Sequence, residues 1–214
     1  MTTAIIGVGT LGGTVARHLA AADERVILAA ADEAHAKALA DELGPNASAA
    51  SVQDAVAGAD VVVLATWLDQ TRELVPAQAR LLEDKVVVDP SNPIGFDESG
   101  QMIRTLPEGV SSGSVVAGLL PASAHYVKAF GSLGATQLAA GANHEPRTVL
   151  FYATDDDGAE MAAERLIRAA GFEPLKVGGL SEAGRIESPD GELQGRIFDL
   201  EEARATIPPE GVKA

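Results

Sequence analysis

Three glycines near the start of the chain have the spacing of a phosphate-binding turn. Gly7, Gly9 and Gly12 form the pattern G-x-G-x-x-G within "AIIGVGTLGGTVARHLA", after an apolar run and before a helical one. The first glycine permits a tight turn, the second lets a pyrophosphate approach the backbone, and the third lets the helix pack against the strand. The other members of the loop are Val8, Thr10 and Leu11. Because a helix N-terminus attracts anions, the loop predicts a site for a dinucleotide diphosphate.

The end of the second predicted strand bears on which dinucleotide binds. A ribose-binding carboxylate usually stands about 20 residues after the first glycine, and here "RVILAAADEAH" offers Ala30, Ala31 and Asp32. Asp32 either accepts a hydrogen bond from a ribose 2′-hydroxyl or caps the helix that begins with Glu33. Two alanines and two acids offer no cation to a 2′-phosphate, since the next basic residue is Lys37. We therefore expect NAD rather than NADP.

Short β-branched runs alternate along the chain with longer alanine-rich runs of helical periodicity. Strands are expected at 3–6, 25–29, 61–65, 85–89, 126–130 and 148–152, and helices at 11–21, 33–43, 51–58, 71–82 and 158–170. Nearly continuous apolar strands such as "DVVVLAT" are typical of parallel strands covered on both faces. The alternation predicts an α/β protein with a Rossmann-type, doubly wound and mostly parallel sheet.

Two composition changes suggest how the chain is divided. Residues 91–113 are rich in Pro, Gly and Ser and show little periodicity, so we expect a long loop that leaves the sheet, with a lid as one interpretation. A second change lies near residues 131–146. We expect a dinucleotide-binding Rossmann domain over residues 1–130, and a small C-terminal α/β addition for substrate binding or dimerisation over residues 131–214.

Composition excludes several classes of function. A formal net charge of −15 argues against nucleic acid and against anionic membrane surfaces as partners. The chain has no cysteine, so disulfides, thiolate metal sites and cysteine nucleophiles are excluded. No apolar run reaches the roughly 18–20 residues of a membrane span, and the first residues lack the pattern of a signal peptide. We expect a cytoplasmic protein that binds small molecules.

Four stretches carry a resemblance to one family. The stretches "TAIIGVGTLGGTVARHLA", "DVVVLAT", "KVVVDPSNP" and "LLPASAHYVKAFGSLGA" resemble the F-420-dependent NADP reductase family. That family is related to the pyrroline-5-carboxylate reductases and to the reductase domain of the STEAP metalloreductases, and the resemblance covers about residues 3–187. It implies an oxidoreductase that transfers a hydride between a nicotinamide cofactor and a second small redox molecule, such as a deazaflavin or a flavin. It also implies a homodimer.

The resemblance implies a role for residues at several strand ends, beyond the glycine loop. The residues next to the adenosine-side ribose and the pyrophosphate are then Ala65, Thr66 and Trp67. Those beside the nicotinamide are Pro90, Ser91 and Asn92. Those bordering the pocket of the second substrate are Pro93, Lys128 and Phe130.

The chain departs from the family pattern at three places. The Ser and basic residues that follow the second strand in the family are replaced by Ala30, Ala31 and Asp32, which favours NAD. The family's T-x-P after the fourth strand becomes "ATW", and an Asn after "KAF" becomes Gly131, which leaves the second substrate open. The acidity of the chain also disfavours capture of a polyanionic deazaflavin.

Side-chain chemistry leaves two alternatives open. Hydride transfer between cofactors needs mainly orientation and water exclusion, which agrees with the lack of a G-x-S-x-G nucleophile elbow. The four histidines have no metal-site spacing, so we expect no metal. An imine or carbonyl reductase would need a proton donor, for which His125, Tyr126 and Lys128 are the candidates. The remaining alternative is a protein that binds the dinucleotide without catalysis.

Overall fold

The computed structural model describes residues 1–207, which form ten strands and nine α-helices. The strands are Thr2–Ile6 (β1), Arg25–Ala29 (β2), Ala47–Ala49 (β3), Val61–Leu64 (β4), Val86–Asp89 (β5), Ile94–Phe96 (β6), Met102–Arg104 (β7), His125–Ala129 (β8), Val149–Ala153 (β9) and Glu173–Gly178 (β10). The helices are Thr10–Ala21 (α1), Glu33–Leu43 (α2), Val52–Gly58 (α3), Leu68–Ala77 (α4), Ala79–Leu82 (α5), Ser112–Ala117 (α6), Ala135–Gly141 (α7), Asp157–Ala169 (α8) and Leu200–Thr206 (α9). A 3-10 helix spans Leu180–Ile186.

Eight strands form one sheet in the order β10-β9-β8-β5-β4-β1-β2-β3. All neighbours are parallel except β8 and β9, which are antiparallel. The chain runs from β1 outward through β2 and β3, and then returns to β4 on the other side of β1. This change of direction opens a crevice between the carboxyl ends of β1 and β4, where α/β proteins bind ligands. The predicted Rossmann-type, mostly parallel α/β sheet is confirmed.

Helices cover both faces of the sheet and give it two hydrophobic layers. One layer contains Val15 of α1, Leu39 of α2 and Leu166 of α8, while the other contains Val56 of α3 and Val75 of α4. The four residues of β4 are all buried. The strands are apolar along their length because helices cover both faces of the sheet, as the sequence indicated.

Segment 91–113 is not the long loop that its composition suggested. It contains the hairpin of β6 and β7 and the first residues of α6. Asp97 makes the turn, because its carboxylate accepts hydrogen bonds from the backbone N–H groups of Ser99 and Gln101. Strands of three residues are too short to show a period of two, and this hid the hairpin in the sequence.

Two other expectations differ in detail from the structure. The helix expected at 71–82 is two helices, α4 and α5, which meet at Gln78. The strands β9 and β10 come from the expected C-terminal part but lie in the same sheet as the rest. The division into parts at residue 130 stays a prediction. The longest helix in residues 1–207 has 13 residues, and none of these helices has the length and apolar character of a bilayer span.

Gly12 is the position at which the fold tolerates least change. A Cβ on Gly12 would overlap the carbonyl oxygen of Gly7 and lie 2.8 Å from Cβ of Ala65. A Cβ on the next residue, Gly13, would meet its nearest neighbour, the carbonyl oxygen of Val8, at 3.4 Å, an ordinary contact. The third glycine of the loop thus lets α1 approach the strands, as the motif predicts.

We expect Gly12→Ala to lower the free energy of unfolding by about 2–3 kcal/mol, the usual cost of overpacking. Gly13→Ala is the matched control, and we expect it to be neutral or to stabilise α1 by up to about 1 kcal/mol, because alanine favours a helix. Urea unfolding measures both. Equal stability of the two variants would contradict the close packing at Gly12.

Candidate active site

The glycine loop joins the end of β1 to the start of α1. Gly7 has φ +96°, in the left-handed region, and its N–H donates a hydrogen bond to the carbonyl of Ala29. Gly9 is the N-cap of α1, and none of the described side chains caps the helix or places an acid in its first turn. Apart from Gly9 itself and its two neighbours in the chain, no heavy atom of residues 1–207 lies within 4 Å of the place that a Cβ on Gly9 would take. The loop therefore offers free N–H groups beneath open space, which fits a diphosphate.

At the end of β2, Asp32 acts as the N-cap of α2. One of its carboxylate oxygens, Oδ1, accepts hydrogen bonds from the N–H groups of Ala34 at 3.0 Å and His35 at 3.4 Å. Asp32 and Ala31 are exposed, whereas Ala30 is half-buried. Of the two roles left open by the sequence, the capping role is present in the structure. Both of these capping hydrogen bonds use Oδ1.

The residues after β4 contact the glycine loop directly. The carbonyl oxygen of Ala65 and Cγ2 of Thr66 are the atoms that a Cβ on Gly7 would meet. The hydroxyl of Thr66 is hydrogen-bonded to that of Thr71 in α4 at 2.8 Å, which fixes its direction. Trp67 is the N-cap residue of α4, and its ring is more than half exposed. The sequence-predicted residues after β4 thus lie at the crevice.

Hydrogen bonds and close packing hold the segment after β5 in place. Asn92 donates from Nδ2 to the carbonyl of Gly131 and accepts at Oδ1 from the N–H of Ser188. A Cβ on Gly131 would lie 2.5 Å from the carbonyl oxygen of Pro90, so the two strand-end loops are in close contact. Pro93, which is buried, accepts a backbone hydrogen bond from Thr105. Both polar atoms of the Asn92 amide are therefore hydrogen-bonded within the protein.

A buried ionic network lies beneath this segment. The ammonium group of Lys128 donates hydrogen bonds to Asp89 Oδ2 at 3.2 Å, to Ser112 Oγ at 2.9 Å and to the carbonyl of Ser91. It also lies 3.7 Å from Oε1 of Glu187. The side chains of Lys128, Asp89 and Glu187 are at most 1% exposed. We call these five residues the Lys128 network.

Backbone N–H groups satisfy the carboxylates of the Lys128 network. Asp89 Oδ1 accepts from the N–H of Ser91 at 2.7 Å. Glu187 accepts from the N–H groups of Ser112 and Gly113, both at 2.8 Å. Two buried carboxylates and one ammonium are thus compensated by hydrogen bonds, as buried charges require. The network links β5, β8, the start of α6 and residue 187.

The hydroxyl of Tyr126 also belongs to this buried region, because it donates to Asp89 Oδ2 at 2.7 Å. Burial, followed by the negative charge of Asp89, raises the pKa of Tyr126 well above its usual value. The phenol therefore stays protonated and acts as a donor. His125 precedes it at the amino end of β8, at the sheet edge opposite the glycine loop, where its Nδ1 is 2.7 Å from Asp156.

Several predicted site residues are less accessible than the sequence suggested. Lys128 is 1% exposed and Phe130 is 0% exposed, so neither borders an open pocket as expected. The Lys128 network encloses the ammonium group of Lys128, so it is also not placed to donate a proton to a substrate. His125 is directed away from the cofactor edge by the polarity of β8, since the strand has the same direction as β5 and β1. Within residues 1–207, no group of three or more His, Asp or Glu residues is placed to hold a metal ion.

Sequence reasoning missed four residues of this region: Asp89, Ser112, Glu187 and Phe96. A lysine inside one apolar strand and an aspartate ending another, in "YVKAF" and "VVVDP", could have suggested the Lys128–Asp89 pair. Nothing in the sequence indicated a role for Glu187, since it follows Lys128 by 59 positions and lies outside any predicted element. Phe96 was hidden in the segment interpreted as a loop.

Fold and glycine loop together define a dinucleotide-binding protein of the Rossmann class. Residues 2–93 match the family described as NADP oxidoreductase, coenzyme F420-dependent. The match covers less than half of the chain, and over that part it confirms the resemblance seen in the sequence to a family of NADP-dependent oxidoreductases.

Similar proteins cover most of the chain. The hypothetical protein SMa0349 of Sinorhizobium meliloti is 31% identical, with a TM-score of 0.82 over 93% of this chain and 95% of its own. A proposed F420-dependent NADP-reductase of Arthrobacter sp. FB24 is 24% identical, with a TM-score of 0.72 over 85% of this chain and 86% of its own, and supports the fold. Metalloreductase STEAP3 of Rattus norvegicus is 28% identical over 184 residues, 86% of this chain. The chain spans only 35% of the length of that curated relative.

We expect Lys128→Met to lower the free energy of unfolding by about 3–5 kcal/mol, because it leaves two buried carboxylates without their cation. Lys37→Met is the matched control. Lys37 makes an exposed ion pair with Asp41, so its loss should change stability by less than about 0.5 kcal/mol. Chemical unfolding compares the two variants. A loss at Lys128 no larger than that at Lys37 would show that the network contributes no net stability.

Proposed function

We propose that this protein transfers a hydride between a nicotinamide dinucleotide and a second small redox molecule. One observation carries the proposal: the loop from Gly7 to Gly12 presents the uncapped N-terminus of α1 beneath open space at the β1–β4 crevice. The family match over residues 2–93 supports the same chemistry. The loop would bind the diphosphate through backbone N–H groups, the residues after β2 would flank the adenosine side, and Ala65 and Thr66 after β4 would lie beside the diphosphate.

Pro90, Ser91 and Asn92 are the residues proposed to lie beside the nicotinamide. The Lys128 network and the bonds of Asn92 hold this segment in one conformation. In the described part of the chain, the buried hydroxyl oxygens of Ser91 and Ser132 have no hydrogen-bond partner. We propose them as groups available to the polar edge of the ring. The cofactor, when bound, supplies the hydride chemistry, while these residues orient it and exclude water.

The geometry favours this function over an imine or carbonyl reductase. Such an enzyme needs a proton donor next to the substrate. Tyr126 is buried and donates to Asp89, Lys128 is enclosed in its network, and His125 lies at the opposite sheet edge. Transfer between two redox rings needs no such donor from the protein, because proton exchange with solvent is sufficient.

We propose further that NAD(H) is preferred over NADP(H). Asp32 and Glu33 place two carboxylates at the start of α2, where the 2′-position of the adenosine ribose would lie. The first Arg or Lys that follows, Lys37, is 2.8 Å from Asp41 and thus already paired. A 2′-phosphate would meet repulsion, whereas a 2′-hydroxyl could donate to Asp32. The homodimer and the cytoplasmic location expected from the sequence stay predictions.

Gly9→Ala tests the proposed diphosphate site. The added methyl group has room in the protein but occupies the space proposed for the phosphates, so we expect NADH binding to weaken at least about 10-fold, or about 1.4 kcal/mol. Gly184→Ala is the matched control, because a Cβ there also has open space among residues 1–207 beyond its own chain neighbours and helix backbone. Calorimetric titration and urea unfolding are measured on both. Unchanged affinity in Gly9→Ala, or no binding by the unmodified protein, would refute the site.

Asp32→Asn tests the choice of dinucleotide. Asparagine keeps the capping oxygen but removes the charge, so α2 should stay intact. We expect the ratio of the NADPH and NADH dissociation constants to fall about 10-fold. Asp199→Asn, at the N-cap of α9, is the control and should leave the ratio unchanged. Tighter binding of NADPH than NADH by the unmodified protein would overturn the proposed preference, and binding without turnover would favour a non-catalytic role.

A further inference from the structure

Two aromatic side chains at the carboxyl edge of the sheet are left open to water. Trp67 is 53% exposed and Phe96 is 56% exposed, with ring centroids 5.9 Å apart and an interplanar angle of 80°. Met102, also exposed, pairs with Phe96 in the β6–β7 hairpin and therefore lies on the same face. Clustered large apolar side chains that stay exposed indicate a binding surface. We call Trp67 and Phe96 the aromatic platform.

The aromatic platform is continuous with the crevice. Trp67 directly follows Thr66, whose Cγ2 lies 3.0 Å from the place of a Cβ on Gly7. Asn92 ends the segment proposed to lie beside the nicotinamide, and Phe96 comes four residues later. The platform thus follows the carboxyl ends of the neighbouring parallel strands β4 and β5, on the side of β1 where the crevice opens.

Acidic residues follow both members of the aromatic platform closely in the sequence. Asp69 follows Trp67 by two positions, and Asp97 and Glu98 directly follow Phe96. Hydrogen bonds to Asp97, the one from the hydroxyl of Ser99 above all, hold its pKa below the usual value, so this carboxylate stays charged. A ligand that reaches the platform therefore approaches through a negative potential, which disfavours phosphates and carboxylates.

Cations near the platform are already engaged. Arg72 lies 3.8 Å from Asp69, and Arg104 lies 2.9 Å from Asp190. Arg104 also donates to the carbonyl oxygens of Leu106 and Val110, which directs its guanidinium toward the protein. Arg104 is thus engaged within the protein, and the charge of Arg72 is partly offset by the exposed carboxylate of Asp69. The main source of affinity at the platform is then ring stacking, which tolerates many ring types.

We propose that the aromatic platform binds the second redox substrate, and that this substrate is a planar conjugated ring system without an anionic tail. The inference rests on the proposed function, since it places this ring next to the nicotinamide. In the reaction the C4–H bond of the dihydronicotinamide breaks and the hydride adds to the ring with both electrons. One proton from solvent completes the reduction, and the nicotinamide is oxidised to the pyridinium form.

Riboflavin and FMN are a matched pair of probes, because they share the isoalloxazine ring and differ by a phosphate. Titration of flavin fluorescence with the protein, without any nicotinamide, measures binding to the platform directly. We expect riboflavin to bind at least about 5-fold more tightly than FMN at low salt, with a smaller difference at high salt because the repulsion is screened. Trp67 is the single tryptophan of the chain, so its emission should be quenched by riboflavin.

Phe96→Ala should weaken riboflavin binding about 5-fold or more, while NADH binding stays within about 2-fold. Phe96→Tyr keeps the ring and should restore the affinity. Met161→Ala removes an equally exposed apolar side chain from α8 and should change neither ligand. With NADH as donor, Phe96→Ala should raise KM for riboflavin more than it lowers kcat.

These measurements test the aromatic platform and the proposed function separately. Failure of riboflavin to bind, equal affinity for FMN, or an unchanged dissociation constant in Phe96→Ala would overturn the platform, even in a protein that binds NADH. Failure of NADH to bind would remove the proposed function, yet the fluorescence titration would still decide whether the platform recognises an uncharged ring.

Discussion

One buried cation fixes the segment that follows β5. The ammonium of Lys128 donates hydrogen bonds to Asp89, to Ser112 and to the carbonyl of Ser91, and it lies beside Glu187. Because a buried charge without partners costs several kcal/mol, none of these groups can move without exposing another to an unsatisfied environment. The segment after β5 and the start of α6 are therefore fixed together. A hydride transfer depends on such rigidity, since the two reacting rings must be held at close distance.

The two sides of the crevice differ in electrostatic character. On the β1 side, the N-terminus of α1 presents N–H groups and a partial positive charge, with no acid in its first turn among the described residues. On the β5 side, Asp97 and Glu98 stand next to exposed rings whose nearby arginines are paired. In the proposed reaction this division would direct phosphates to the glycine loop and an uncharged ring to the aromatic platform, so the two ligands would not compete for one subsite.

Residues far beyond the family match complete the site. The match ends at residue 93, just after the segment proposed to lie beside the nicotinamide. Glu187 nevertheless caps the backbone of Ser112 and Gly113, and the N–H of Ser188 bonds Asn92. The C-terminal strands also extend the same sheet. The shape of the proposed second-substrate region is thus set partly by residues 112–188.

The sequence by itself determined the sheet, the glycine loop and the order of the main helices, because each depends on local signals. Apolar runs, helix caps and the G-x-G-x-x-G spacing act over a few residues, and the strands β1, β2, β4, β5, β8 and β9 were predicted to within one residue at each end. Only the tertiary structure decided the burial of Lys128, the position of His125 at the opposite edge, and the pairing of Trp67 with Phe96. These features join residues that are 16 to 59 positions apart or depend on strand direction, and a local pattern does not encode such contacts.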